Sequence, residues 1–290
     1  MKRDQLKMFL FSALCAFSLQ SMAQSEPIVY KVWPNGAPNT NGATAERPAS
    51  GGQKFDFEPI LTVFPAAEPN GLAVICCPGG GYSMLSNTHE GRQFSTWYNE
   101  QGITFALIDY RMPGGHKDVP LSDVQEAMRI MNAHASEWKF TKLGIMGSSA
   151  GGHLASTAAT HYTDAVTKPA FQILFYPVIT MEKGVTHQSS RDFLIGKTPS
   201  EEDIKLFSNE LQVTADTPPA FIVHCTDDFV VPVENSIRYY TALVKNKVKV
   251  TMHIYPNGGH GWGVQDRFKY KQQWSNELQK WLEAEILPMK

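Results

Sequence analysis

The sequence has no run of about 20 apolar residues, the length that a membrane-spanning helix needs. Its longest apolar stretch, Met8 to Leu19, falls well short, so no membrane span is expected. Positive charge is not in excess either, with 26 Lys and Arg against 28 Asp and Glu. That balance gives nucleic acid and anionic membranes nothing to bind, and neither is expected as a partner. Cysteine is scarce, at four residues in 290. Beyond Cys15 there are Cys76, Cys77 and Cys225, an odd number with two adjacent and so on opposite faces of a strand, which makes no disulfide framework. Each ends an apolar run and reads as a buried thiol. C-x-x-C and paired His/Cys spacings are missing, which removes the usual ground for a metal site. G-x-x-x-x-G-K-S/T is missing too, so no glycine run reads as a phosphate cradle and no cofactor is expected. Internal repeats and low-complexity tracts are also absent.

What the N-terminus does have is Lys2, Arg3 and Lys7, the short apolar run, and the small-residue site Ser21-Met22-Ala23. This is the pattern of a secretory signal peptide over residues 1–23, and it predicts cleavage after Ala23 and a periplasmic or secreted product. Bulky Leu14 before Cys15 disfavours a lipid-anchored alternative. Losing Lys2, Arg3 and Lys7 together with Asp4 would take the formal net charge from −2 to −4. The remaining 267 of the 290 residues fit a single α/β domain with an ample core.

Residues 24–53 are rich in Pro, Asn, Gly and Ala, and read as a lead-in laid over the domain with one strand-like piece, Ile28–Trp33. Residues 54–290 then alternate between two periodicities. Strands are expected at Ile60–Phe64, Leu72–Cys77, Thr104–Asp109, Leu143–Met146, Phe171–Tyr176, Ala220–Cys225 and Val248–Tyr255. Several are near-continuous apolar runs, as parallel strands covered on both faces require. Leu121, Val124, Met128 and Met131 mark an amphipathic helix over Leu121–Trp138. Similar spacing falls at about Glu90–Gln101, Ala150–His161, Val233–Asn246 and Asp266–Ile286. The alternation predicts an α/β fold: a doubly wound, mainly parallel sheet of about eight strands flanked by helices, with its ligand site beyond the carboxyl ends of the strands. The long interval at about 178–219 holds the polar piece His187–Arg191 and a helical pattern at Ser200–Phe207, and is expected to form a small cap-like insertion.

Strand ends therefore rank the candidate residues. Gly147-Ser148-Ser149-Ala150-Gly151 is a G-x-S-x-G turn between a strand and a small-residue helix, the setting that lifts a serine hydroxyl above a sheet edge. At average composition the pattern arises by chance in about one chain in ten of this length, so its partners must decide. Ser149 is the candidate nucleophile and Ser148 a bystander. Asp227 and Asp228 follow Ala220–Cys225, and Asp228 is preferred because the Val231-Pro232 after it resembles the D-x-x-V-P pattern common after this strand in the hydrolase fold; one of the pair is expected to cap the helix beginning near Val233. His260, set among Gly258, Gly259, Gly261 and Gly263 after the last strand, is the candidate general base. The other histidines, including His153, His187, His224 and His253, are read as ordinary structure. Cys77-Pro78-Gly79-Gly80-Gly81-Tyr82 follows an early strand and resembles the glycine-rich oxyanion loop of esterases, which implies that the N–H groups of Gly80 or Gly81, with that of Ala150, form an oxyanion hole. Tyr82 and Trp262 flank the chemistry as candidate sugar platforms.

With these motifs in the order oxyanion loop, Ser, Asp, His, the chain resembles the α/β-hydrolase superfamily, and within it the bacterial acetyl-xylan-esterase-like branch. The resemblance runs from about Val29 to the C-terminal helix and also includes Asp109-Tyr110-Arg111 and Tyr176-Pro177. Pro78 departs from it, standing where lipase-type loops begin with His, and so does Ser148, where larger residues are frequent. The resemblance implies an α/β-hydrolase fold and a serine carboxylesterase that removes acetyl groups from an acetylated plant-type polysaccharide or its oligosaccharides. Rival readings are an esterase for larger acyl groups such as feruloyl, a serine peptidase, and a non-catalytic carbohydrate-binding protein on the same scaffold.

Overall fold

The computed structural model describes residues 26–42 and 58–289. The expected signal peptide, its cleavage site and Cys15 lie outside the described residues. Eight strands make one sheet: β1 (Ile28–Lys31), β2 (Ile60–Phe64), β3 (Leu72–Cys77), β4 (Thr104–Asp109), β5 (Lys142–Ser148), β6 (Gln172–Phe175), β7 (Ala220–Cys225) and β8 (Val250–Tyr255). Their spatial order is β1-β2-β4-β3-β5-β6-β7-β8. β2 runs antiparallel to both β1 and β4, and the other pairs are parallel.

The period-two geometry of a strand splits the apolar runs between two cores. Along β3, Ala73, Ile75 and Cys77 enter one core while Leu72, Val74 and Cys76 enter the other. The first core is closed by helices α2 (Asp118–Ala133), α3 (Ala150–Thr160) and α6 (Glu234–Lys245); the second is closed by α1 (Phe94–Glu100) and α7 (Lys271–Trp281). Cys76, Cys77 and Cys225 are free and buried.

Helix α2 starts three residues before the periodic pattern because Pro120 sits in its first turn, where a missing N–H removes no intrahelical bond. Residues 26–42 do more than overlie the domain, since β1 completes the sheet edge. The segment is also tied to a buried ion pair. Arg111 Nη2 lies 2.6 Å from Asp123 Oδ1, Trp33 Nε1 donates to the same carboxylate at 2.7 Å, and Arg111 Nη1 donates to Asn39 O at 2.8 Å. A buried pair is tolerable when its hydrogen-bonding capacity is used in this way.

Between β6 and β7 the chain forms α4 (Gln188–Ile195), α5 (Glu201–Leu206) and a short 3₁₀ turn at Asn209–Leu211. Ser200 caps α5 by accepting from Asp203 N, but α4 falls where the sequence showed only a polar piece. The segment lies along α3: Asn209 Nδ2 donates to Ser156 Oγ at 2.7 Å, and His153 Nε2 donates to Phe207 O at 2.8 Å.

His153 is fully buried, and its Nδ1 accepts from the Tyr82 hydroxyl at 2.9 Å, which fixes the neutral tautomer. Burial lowers its pKa from 6.5 to about 4, against the opposing Phe207 carbonyl. The unfolded chain therefore takes up a proton at a higher pH than the folded chain does. Stability from this group is complete above pH 6.5 and should fall by up to about 3 kcal/mol as pH drops to 4. Urea denaturation across that range should show the decline, and His153→Gln should flatten it.

Candidate active site

Ser149 ends the crossing from β5 to α3 with φ 55° and ψ −123°, a region that costs a non-glycine residue about 1–3 kcal/mol. The surrounding backbone holds it there. Ser149 N–H donates to Phe175 O at 3.0 Å, and Ser149 O accepts from Val178 N at 3.0 Å and His153 N at 3.1 Å. A side chain on Gly147 would run into the backbone of Gly151, and one on Gly151 into the backbone of Cys77. The helix can leave the strand this sharply because both positions lack a Cβ. Ser148, one residue earlier, is completely buried.

Three loops that follow the carboxyl ends of β5, β7 and β8 converge here. His260 Nε2 lies 2.8 Å from Ser149 Oγ, and His260 Nδ1 lies 2.7 Å from Asp228 Oδ2. Ser149 is 5% exposed, nearly enclosed by the loops around it. Asp228 Oδ1 accepts from Val230 N and Val231 N, both at 2.9 Å, while Oδ2 also lies 3.2 Å from His224 Nε2. Burial alone would push the Asp228 carboxyl up. Hydrogen bonds from His224 and His260, the His260 charge and the Val231 N–H more than offset it and hold the group well below the usual carboxylate range. Asp228 thus stays an anion facing the imidazole.

Asp227 has a different task. Its carboxylate accepts from Gly258 N at 3.1 Å and Gly259 N at 2.8 Å, which fixes the loop that carries His260. Neither aspartate caps α6, whose N-cap is Val233 with no side-chain hydrogen bond. The expected cap does not form because both carboxylates are engaged elsewhere.

Gly80 and Gly81 lie at φ +126° and +66°, and their N–H groups donate to no acceptor among the described residues. The Ala150 N–H belongs to the first residue of α3, which has no intrahelical acceptor. Gly79 approaches closest of all: a Cβ there would stand 3.0 Å from Ser149 Cβ and 2.9 Å from Ser148 O. The Tyr110 hydroxyl steadies the start of this loop by donating to Pro78 O at 2.8 Å.

Tyr82 and Trp262 require a correction as sugar platforms. Each is 1% exposed. Tyr82 is turned inward to His153, and Trp262 stacks on Phe268 at 3.9 Å between ring centroids. Their positions beside the glycine runs are right, but both side chains serve the core, where apolar rings are most stable.

Two groups in the site escaped the sequence reading. Glu90, 2% exposed, accepts from the Tyr176 hydroxyl at 2.8 Å and from the Gly79 N–H, and Tyr176 in turn accepts from Gly263 N at 2.7 Å. Burial pushes the Glu90 carboxyl up, while Tyr176, the charges of His260 and His89, and the Gly79 N–H oppose that. The chain Gly79–Glu90–Tyr176–Gly263 links the glycine-rich loop to the histidine loop. The other group is His224, whose Nδ1 pairs with Ser236 Oγ at 2.7 Å while Nε2 faces Asp228 and the Val231 carbonyl. A lone imidazole in the apolar run Ala220–Cys225 was its signal; Glu90, in a helix-like segment, had none.

Fold and side-chain geometry together define the class, an α/β hydrolase with a Ser–His–Asp constellation at its strand ends. Residues 63–243 match the family model described as BD-FAE, and the chain belongs to that family. It is 42% identical over 236 residues to an acetylxylan esterase of Xylanibacter ruminicola, covering 79% of this chain and 49% of that protein. It is 36% identical over 205 residues to an endo-1,4-beta-xylanase B of Butyrivibrio fibrisolvens, covering 65% and 32% respectively. The chain thus spans about half and about a third of the lengths of these two relatives. Among solved structures, an acetyl ester-xyloside bifunctional hydrolase from Caldicellulosiruptor lactoaceticus superposes with a TM-score of 0.75 at 31% identity, over 89% of this chain and 96% of that one.

A fluorophosphonate that labels activated serines should modify the wild-type protein and the Ser148→Ala variant but not Ser149→Ala, as read by intact-protein mass spectrometry. Asp228→Asn should slow labelling by roughly 10³–10⁴-fold through the wrong imidazole tautomer. Asp227→Asn should slow it far less; the reverse order of the two aspartates would overturn the assignment of the acid.

Proposed function

We propose that the chain is an exported serine carboxylesterase that removes acetyl groups from plant-type polysaccharide or its oligosaccharides. The observation that carries this reading is His260 bridging Ser149 Oγ and Asp228 at 2.8 and 2.7 Å. Ser149 Oγ attacks the ester carbonyl carbon while His260 Nε2 takes its proton. Asp228 holds the Nδ1–H and stabilises the imidazolium that forms. Backbone N–H groups of Gly80 or Gly81 and of Ala150 receive the oxyanion, a contribution of a few kcal/mol per donor in related chemistry. Collapse of the tetrahedral intermediate passes the proton from His260 to the leaving sugar oxygen. Water, activated by the same imidazole, then hydrolyses the acetyl-serine and regenerates the enzyme.

Acetyl and xylan enter through the relatives, whose names are acetylxylan esterase, endo-1,4-beta-xylanase and acetyl ester-xyloside hydrolase. Export rests on the basic, apolar and small-residue pattern of residues 1–23.

The wild-type protein should release acetate from acetylated xylan with a higher kcat/KM than it shows for a feruloyl ester, and Ser149→Ala should abolish that release. A preference for the feruloyl ester would instead assign the site to larger acyl groups. For export, mass spectrometry of the protein recovered from the periplasm or medium should find Gln24 as its first residue; an intact Met1 there would refute cleavage.

A further inference from the structure

With Tyr82 and Trp262 committed to the core, the site needs another sugar-facing surface, and the acid loop supplies a candidate. Phe229 follows Asp228 directly and is 95% exposed, with Val230 beside it also exposed. Single exposed apolar residues are common on protein surfaces and need no explanation by themselves. What sets Phe229 apart is the fixed backbone that carries it. Its flanking backbone is drawn around the Asp228 carboxylate, which accepts from Val230 N and Val231 N at 2.9 Å each. The same carboxylate orients His260, so the ring stands one residue from the triad, beyond the carboxyl end of β7, where ligands of such sheets bind.

His187, the N-cap residue of α4, comes from the insertion between β6 and β7. Its Cε1 lies 3.5 Å from where a Gly81 Cβ would be, placing the imidazole against the proposed oxyanion loop. Its Nδ1 pairs with Ser190 Oγ at 2.8 Å, while Nε2 has no hydrogen-bond partner among the described residues. The ring is near enough to His260 and Asp228 to feel the charge of both. Burial, joined by the His260 charge and opposed by Asp228, lowers its pKa, so it stands neutral at pH 7.

We propose that Phe229 and His187 form the sugar-side wall of the active site, the phenyl face stacking on the C–H face of the pyranose that bears the acetyl group and His187 Nε2 hydrogen-bonding a ring hydroxyl. The pairing suits a neutral carbohydrate, which offers an apolar ring face bordered by hydroxyls, and supplies no cation for an acidic ligand. This inference rests on the acetyl-sugar reading of the function.

The test compares acetylated xylobiose with ethyl acetate, which shares the acyl group and lacks the sugar. Phe229→Ala should lower the ratio of the two kcat/KM values about tenfold, the equivalent of one stacking contact, chiefly by raising KM for the sugar ester. Phe229→Trp should restore the ratio. His187→Ala should lower it by about fivefold, the equivalent of one neutral hydrogen bond, with His187→Gln recovering part of the loss. A ratio within about twofold of wild type in both alanine variants would overturn the wall, as would a Phe229→Ala defect confined to methyl ferulate, which would put the ring on the acyl side. Sedimentation velocity closes the remaining route, since a change of oligomeric state in Phe229→Ala would make the ring a subunit contact and refute the proposal. If the wild-type enzyme itself favours ethyl acetate over acetylated xylobiose, the acetyl-sugar reading fails first and the wall fails with it.

Discussion

Everything at the site depends on how closely α3 crosses β5 and β3. The helix axis can come this near because Gly147 and Gly151 put no side chain between backbones. That approach forces Ser149 into a left-handed conformation and aims its hydroxyl out of the sheet. The strain is offset by hydrogen bonds from the elbow to Phe175, Val178 and His153. The nucleophile's direction is therefore set by the packing of three elements, with little freedom left to the side chain.

The second dependence is electrostatic. A carboxylate sunk among apolar strands is unfavourable unless its oxygens are satisfied. Asp228 meets that condition with two backbone N–H groups and two imidazoles, and so remains charged where His260 must become positive. Asp227 fixes the backbone that presents His260, while Glu90 and Tyr176 link the same loop to Gly79. Asp227, Asp228 and Tyr176 thus each also tie together loops from different strand ends. Such bracing is how a fold keeps reacting groups within hydrogen-bond distance before a substrate arrives.

Most of the architecture was legible in the sequence because buried parallel strands and amphipathic helices leave one-dimensional patterns. The seven strand runs after residue 54 and the elbow could be read directly, as could Ser149, Asp228 and His260 as candidates in hydrolase order. Less legible were α4, whose polar start at His187–Arg191 masks its helical spacing, and the early start of α2. Tyr82 and Trp262 show the limit from the other side: an aromatic beside a catalytic motif looks alike in sequence whether it faces substrate or core.

Local periodicity and motif order are enough to set the layers, the position of each candidate group at a strand end and the class of chemistry those groups can perform. Tertiary structure alone decided which aspartate faces His260, that His224 and Glu90 join the site, and that Phe229 is the ring left in solvent beside it. The reason is physical: hydrogen-bond partners 32 and 111 residues apart are chosen by the packing of loops in space, and no local pattern records which way a side chain turns.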